Sequence, residues 1–201
     1  WSGSAVPLNN GTTLYNTVIP YIVGKSTLTL DSDTPNDITV NDFTLAGNVT
    51  FTVNPNRRFT VGDDALLSGL VSVSGLNSRF DSGYAPVFTG GTARFAASGS
   101  GVIILRGTSF SMADVRYGNF AVLTAVDAGS LLDLSSVTSF NAGWNDSDGS
   151  VYATTVSASS GGVIDLSGVQ TLTTPGRTED RIDFVVSSGG QIKLDGLQQI
   201  S

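Results

Sequence analysis

Three stretches towards the C-terminal end spell out one pattern. They read Gly129-Ser-Leu-Leu-Asp-Leu-Ser-Ser-Val-Thr-Ser-Phe140, Gly161-Gly-Val-Ile-Asp-Leu-Ser-Gly-Val-Gln-Thr-Leu172 and Gly189-Gly-Gln-Ile-Lys-Leu-Asp-Gly-Leu-Gln-Gln-Ile200. A weaker copy starts at Gly101, with Ile103 and Leu105 in the first two apolar places. A repeat of this kind allows few folds, because each unit is too small to bury its own apolar face and must stack on its neighbours. The anchor leucines Leu105, Leu134, Leu166 and Leu194 stand 29, 32 and 28 residues apart. With Val137, Val169 and Leu197, and with Phe140, Leu172 and Ile200, they form the expected core. Alternation of apolar and polar residues puts each set on one strand face.

A second alternating stretch lies upstream of each anchor. Ala93, Phe95 and Ala97 align with Val122, Thr124 and Val126, then Thr154, Val156 and Ala158, then Ile182, Phe184 and Val186. Each unit of about 30 residues therefore offers two or three short strands with a Gly or small residue at the bends. The expected fold is all-β, a parallel β-helix (solenoid) with about 28–32 residues per coil in the C-terminal half. The N-terminal half alternates less regularly, through Leu28 and Leu30, Ile38 and Val40, Phe51 and Val53, then Phe59 and Val61. Residues 1–25 match no repeat and are expected to cap or lead into the solenoid, which covers 26–201. The chain opens on Trp1 and closes on Ile200-Ser201, so the sequence is expected to be a processed chain or a fragment of a longer one.

Composition supports this reading. Sixteen of the seventeen acidic residues are Asp, and Lys25 and Lys193 are the only lysines. Glu and Lys furnish exposed helix faces, whereas Asp, Ser, Thr and Gly favour turns, so little material exists for amphipathic helices. The net charge of −7 opposes nucleic-acid binding, and no apolar run approaches the length of a membrane helix.

The Gly-x-x-Ile-x-Leu-x-x-Val-x-x-Leu units, with runs such as Ser26-Thr-Leu-Thr-Leu30 and Asn48-Val-Thr-Phe-Thr-Val53, resemble right-handed parallel β-helix proteins of the bacterial cell surface, the adhesin and haemagglutinin-type passenger domains. That resemblance implies right-handed coiling, which also follows the chirality preference of parallel connections. It further implies an extracellular or cell-surface location, a structural or adhesive role, and glycans or surface proteins as partners.

With neither histidine nor cysteine, Ser-His-Asp triads, Cys-His pairs and ordinary zinc sites are excluded. Carboxylates and hard cations remain. The repeat places Asp133, Asp165 and Lys193 at one outward position, where neighbouring strands would set the two carboxylates about 5 Å apart, the separation that retaining glycosidases use. A surface ladder neutralised by Lys193 is the favoured reading, so no enzyme is expected. A carbohydrate-binding or polysaccharide-cleaving β-helix is the alternative, and a fibre-forming subunit that associates end to end or laterally is a second one. Asn145, Asp146 and Asp148 in Asn145-Asp-Ser-Asp-Gly149 resemble half of a calcium loop. Trp144 beside it is a candidate for stacking on a sugar.

Overall fold

The computed structural model describes residues 13–21, 24, 26–83, 93–112, 118–141 and 149–201. Among these residues there is no helix; every regular element is a strand. After β1 (Asn16–Ile19) the chain makes successive passes, each a few short strands joined by turns. The first pass is β2 (Ser26–Leu30), β3 (Asp37–Val40) and β4 (Asp42–Leu45), and the second is β5 (Val49–Val53), β6 (Arg58–Val61) and β7 (Ala65–Leu67). The third contains β8 (Leu70–Ser74) and β9 (Arg79–Asp81), the fourth β10 (Arg94–Ser98), β11 (Val102–Ile104) and β12 (Ser109–Ser111). The fifth is β13 (Phe120–Val126), β14 (Leu131–Asp133) and β15 (Ser139–Asn141). The sixth is β16 (Ala153–Ser159), β17 (Val163–Asp165) and β18 (Thr171–Thr173), and the seventh β19 (Arg181–Ser187), β20 (Gln191–Lys193) and β21 (Gln199–Ile200).

Strands at equivalent places in successive passes pair in parallel. The first sheet runs β2-β5-β8-β10-β13-β16-β19 and the second β3-β6-β9-β11-β14-β17-β20. Two shorter sheets, β1-β4-β7 and β12-β15-β18-β21, hold the third strands of early and late passes. β1 lies in the stretch expected to act as a cap, and pairs Asn16 with Asp42 and Ile19 with Leu45.

The turns explain the repeated signature. Between first and second sheets, the Gly101, Gly162 and Gly190 amides donate to the carbonyls of Ser98, Ser159 and Ser187, each at 2.9 Å. The two residues inside these turns have positive φ, as in Ser160 (53°) and Gly161 (85°), the conformation of a type I′ turn. The second glycine has a different cause. A Cβ on Gly162 would lie 2.5 Å from the Ala125 carbonyl oxygen of the preceding pass, so the strands approach too closely for any side chain. The Leu-x-x-Val spacing is a second turn. Val137, Val169 and Leu197 donate to Leu134, Leu166 and Leu194 carbonyls at 2.9, 3.0 and 3.1 Å, leaving both flanking apolar side chains pointing inward.

One apolar cluster runs through the passes from Leu30 to Leu172. Phe43, Phe51 and Phe59 come from three different sheets, and their ring centroids lie 4.8–5.1 Å apart. Leu105, Leu134 and Leu166 are buried in line, each amide bonded to the next pass (Leu134 to the Asp165 carbonyl at 2.8 Å), and Leu194 packs partly buried at the end of the row. Val137, Val169, Phe140 and Leu172 are buried, and Leu197 packs partly buried against the same cluster. Ile200, expected in the core, is instead 63% exposed, because β21 pairs with β18 alone and no strand covers its far side.

The alignment within β13 also needs correction. A bulge between Ala121 and Leu123 moves the strand by one residue, so Leu123 and Ala125 pair with Phe95 and Ala97, while Thr124 and Val126 face outward. Val122 is the extra residue, and it remains buried.

Candidate functional site

The outward side chains of the two long sheets differ in kind. On the first sheet, Thr29, Thr52, Ser72, Ala96, Thr124, Ser157 and Val185 form one short, uncharged row. On the second sheet, register stacks Thr39, Thr60, Asp81, Ile104, Asp133, Asp165 and Lys193, with Asp37, Arg58 and Arg79 in the neighbouring row. Charge is denser there, although the first sheet carries Arg94 on β10 and the Arg181–Asp183 ion pair on β19.

Asp133 and Asp165 are direct partners across β14 and β17, and Lys193 follows on β20. Each carboxylate closes the turn that follows it. Asp133 Oδ1 accepts from the Ser135 amide at 3.0 Å and its hydroxyl at 2.6 Å, and Asp165 Oδ1 accepts from the Ser167 amide at 3.0 Å. Lys193 Nζ donates to Asp165 Oδ2 at 2.9 Å. Burial pushes the Asp165 carboxyl up, but the Ser167 bonds and Lys193 outweigh it and hold the group below its ordinary value. The bond to Asp165 raises Lys193 in turn. Asp165 thus stays ionised near neutral pH and serves as an acceptor, not as a proton donor. Sequence reasoning found this column from the repeat, but the Asp-x-Ser turns give both carboxylates a local structural task.

The N-terminal half of the same face holds a second constellation that sequence reasoning missed. Asp81, with a side chain only 9% exposed, is held by two guanidiniums: Arg106 Nε and Nη2 reach its two oxygens at 2.7 and 2.8 Å, and Arg79 Nη2 reaches Oδ2 at 2.8 Å. The bidentate fork from Arg106 crosses one pass, so it braces β9 against the turn after β11. Burial raises the Asp81 carboxyl, yet the two arginines win and leave it below the usual carboxylate range. The Arg106 amide also bonds the buried Ser82 hydroxyl at 3.1 Å. Beside this cluster an open groove of about 580 Å³ crosses β3, β6, β9 and the start of β11. Arg58, Arg79, Thr39, Thr60, Ser78 and Asn77 line it, and Asp37 sits 3.9 Å from Arg58 Nε. Asn77 is set by its bond to Asn56 across the adjacent corner, at 3.0 Å. The sequence does carry a signal for this place: the doublets Arg58-Phe59 and Arg79-Phe80, whose phenylalanines pair inside while the arginines pair outside.

Trp144, Asn145, Asp146 and Asp148, the candidates for sugar stacking and calcium, lie outside the described residues. Among the described residues no group of three or more acidic side chains is placed to hold a metal ion. Neither a scan of protein-family models nor searches of curated proteins and of solved structures found any match to this chain.

Proposed function

We propose that the chain is a right-handed parallel β-helix segment of a secreted or cell-surface protein, acting as a rigid stalk that also presents adhesive faces. The observation that carries this reading is the single apolar core threaded through successive in-register passes. Such a stack gains stability pass by pass from nearest-neighbour contacts, which suits a spacer whose length can be set by repeat number. Outward rows of Thr, Ser, Asp and Arg supply a broad polar surface for glycans or surface proteins. The Asp133–Asp165 pair is left structural in this proposal, since both carboxylates cap turns and Asp165 is tied to Lys193.

Labelling intact producing cells with an antibody raised against the chain, before and after permeabilisation, tests the location. Surface or secreted signal is expected. Signal that emerges only after permeabilisation would overturn the assignment. Beads coated with the folded chain should also bind glycan-coated surfaces more than beads carrying the urea-unfolded chain.

A further inference from the structure

The two ends of the stack of passes are finished differently. In the first pass the inward residues Leu30, Ile38, Val40 and Leu45 are at most 1% exposed, so the core is closed there even though β2 and β3 are each paired on one side only. The seventh pass is open. β19, β20 and β21 pair with β16, β17 and β18 alone, and the inward Val186 and Ile200 are 54% and 63% exposed. Their counterparts one pass earlier, Ala158 and Leu172, are 1% and 5% exposed. Ile182, Phe184, Ile192, Leu194 and Leu197 are only partly buried, and together they carry the apolar core out to a face. Backbone groups end there too. The amides of Leu105, Leu134 and Leu166 each bond to the following pass, and Leu194, next in that series, has no following pass to meet. Strand edges are commonly blunted by shortness, proline or a bulge. β19 has seven residues, no proline and unbroken register with β16.

We propose that two copies of this chain dimerise through these open faces, β19 adding antiparallel to β19 of the second copy about a two-fold axis at Phe184. Phe184 is the midpoint of the strand, so this register pairs all seven residues. It is also self-complementary: Phe184 faces Phe184 of the second copy, Ile182 faces Val186, Asp183 faces Val185 and Arg181 faces Ser187. Inward residues meet inward residues, and no like charges oppose one another. Centring the axis on Asp183 would instead set two carboxylates face to face and leave the end of the strand unpaired. Charge favours this end over the rest of the molecule. Residues 174–201 hold Arg177, Arg181 and Lys193 against Glu179, Asp180, Asp183 and Asp195, a balance of −1, whereas residues 1–173 carry the remaining −6 of the chain's −7. Two copies therefore meet here with little repulsion. Because the core is closed at the opposite end, the assembly stops at two and does not grow head to tail.

Sedimentation velocity and light scattering of the folded chain over a range of concentrations test this. A monomer–dimer equilibrium with nothing larger is expected. Val186→Lys, at an already exposed position, sets a charge against Ile182 of the second copy and is expected to weaken dimerisation at least about tenfold with an unaltered circular dichroism spectrum. Leu76→Lys, also exposed but in the turn between β8 and β9, is expected to leave the dimer intact. The chain has no cysteine, so the register can be read by oxidation. An equimolar mixture of Arg181→Cys and Ser187→Cys chains is expected to cross-link, and either alone much less, because only the mixture brings two thiols opposite one another. The proposal is overturned by a chain that stays monomeric at every concentration, which would leave the face to a different occupant, or by oligomers that grow beyond two. A dimer indifferent to Val186→Lys, a dimer lost equally in Leu76→Lys, or cross-linking that does not need the mixture overturns it as well.

Discussion

Gly161 and Gly162 stand side by side for unrelated reasons, and substitution separates them. Gly162→Ala drives a methyl group into the Ala125 carbonyl, which belongs to backbone and cannot swing aside, so urea unfolding should report a loss of about 2–3 kcal/mol. Gly189 has φ of 78° but nothing within 4 Å of where a Cβ would stand, so Gly189→Ala should cost about 1 kcal/mol from conformation alone. Gly176, with neither restriction, should accept Ala without loss. In the core, Phe43 touches rings from two other sheets, and Phe43→Ala should cost about 3–5 kcal/mol. Ile200→Ala, at an exposed position, should change stability by about 0.5 kcal/mol or less.

At the level of strands and their turns, ionic ties between passes make stability depend on pH. The Asp81 carboxyl lies below its ordinary value in the folded chain, held there by Arg106 and Arg79 against the opposing effect of burial. A group depressed on folding contributes its stability above its unfolded pKa, about 3.9, and loses it as pH falls through the folded value. Melting temperatures measured downward from pH 5 should therefore fall steeply in the parent chain and less steeply in Asp81→Asn. That variant should already be weaker at pH 7, by on the order of 2 kcal/mol, having lost charge-assisted bonds. The same scale shows what a reader of the sequence could find. The alternation around Leu134 and Leu166 is local, and each Leu-x-x-Val is a complete turn, so the second sheet of the late passes was legible. The slip at Val122 was not, because a bulge leaves an apolar residue at either alternative register. The Asp81–Arg106 bond joins residues 25 apart in the half where the repeat is blurred, and only side-chain packing brings them together.

For the whole molecule, the proposed β-helix makes excision a sharper probe than point substitution. Asp133 pairs with Asp165 and Leu132 with Ile164, so removing residues 133–164 rejoins Leu132 to Asp165 one pass later with every inward side chain still inward. That shortened chain should keep a β-type circular dichroism spectrum and a single cooperative melt. Removing residues 149–165 takes away β16 and β17 without completing a pass, and should yield an unfolded or aggregated product. Equal behaviour of the two deletions would contradict a chain that winds sheet by sheet. The spacing between passes carries a further consequence. The hydrogen-bonded turns at 98–101, 159–162 and 187–190 share one length, whereas the stretches 112–119, 142–152 and 174–180, which lead from one pass to the next, do not. Among the late passes, length thus varies more between passes than within them, and foreign sequence or inherited variation is most easily taken up there while the paired strands stay in step.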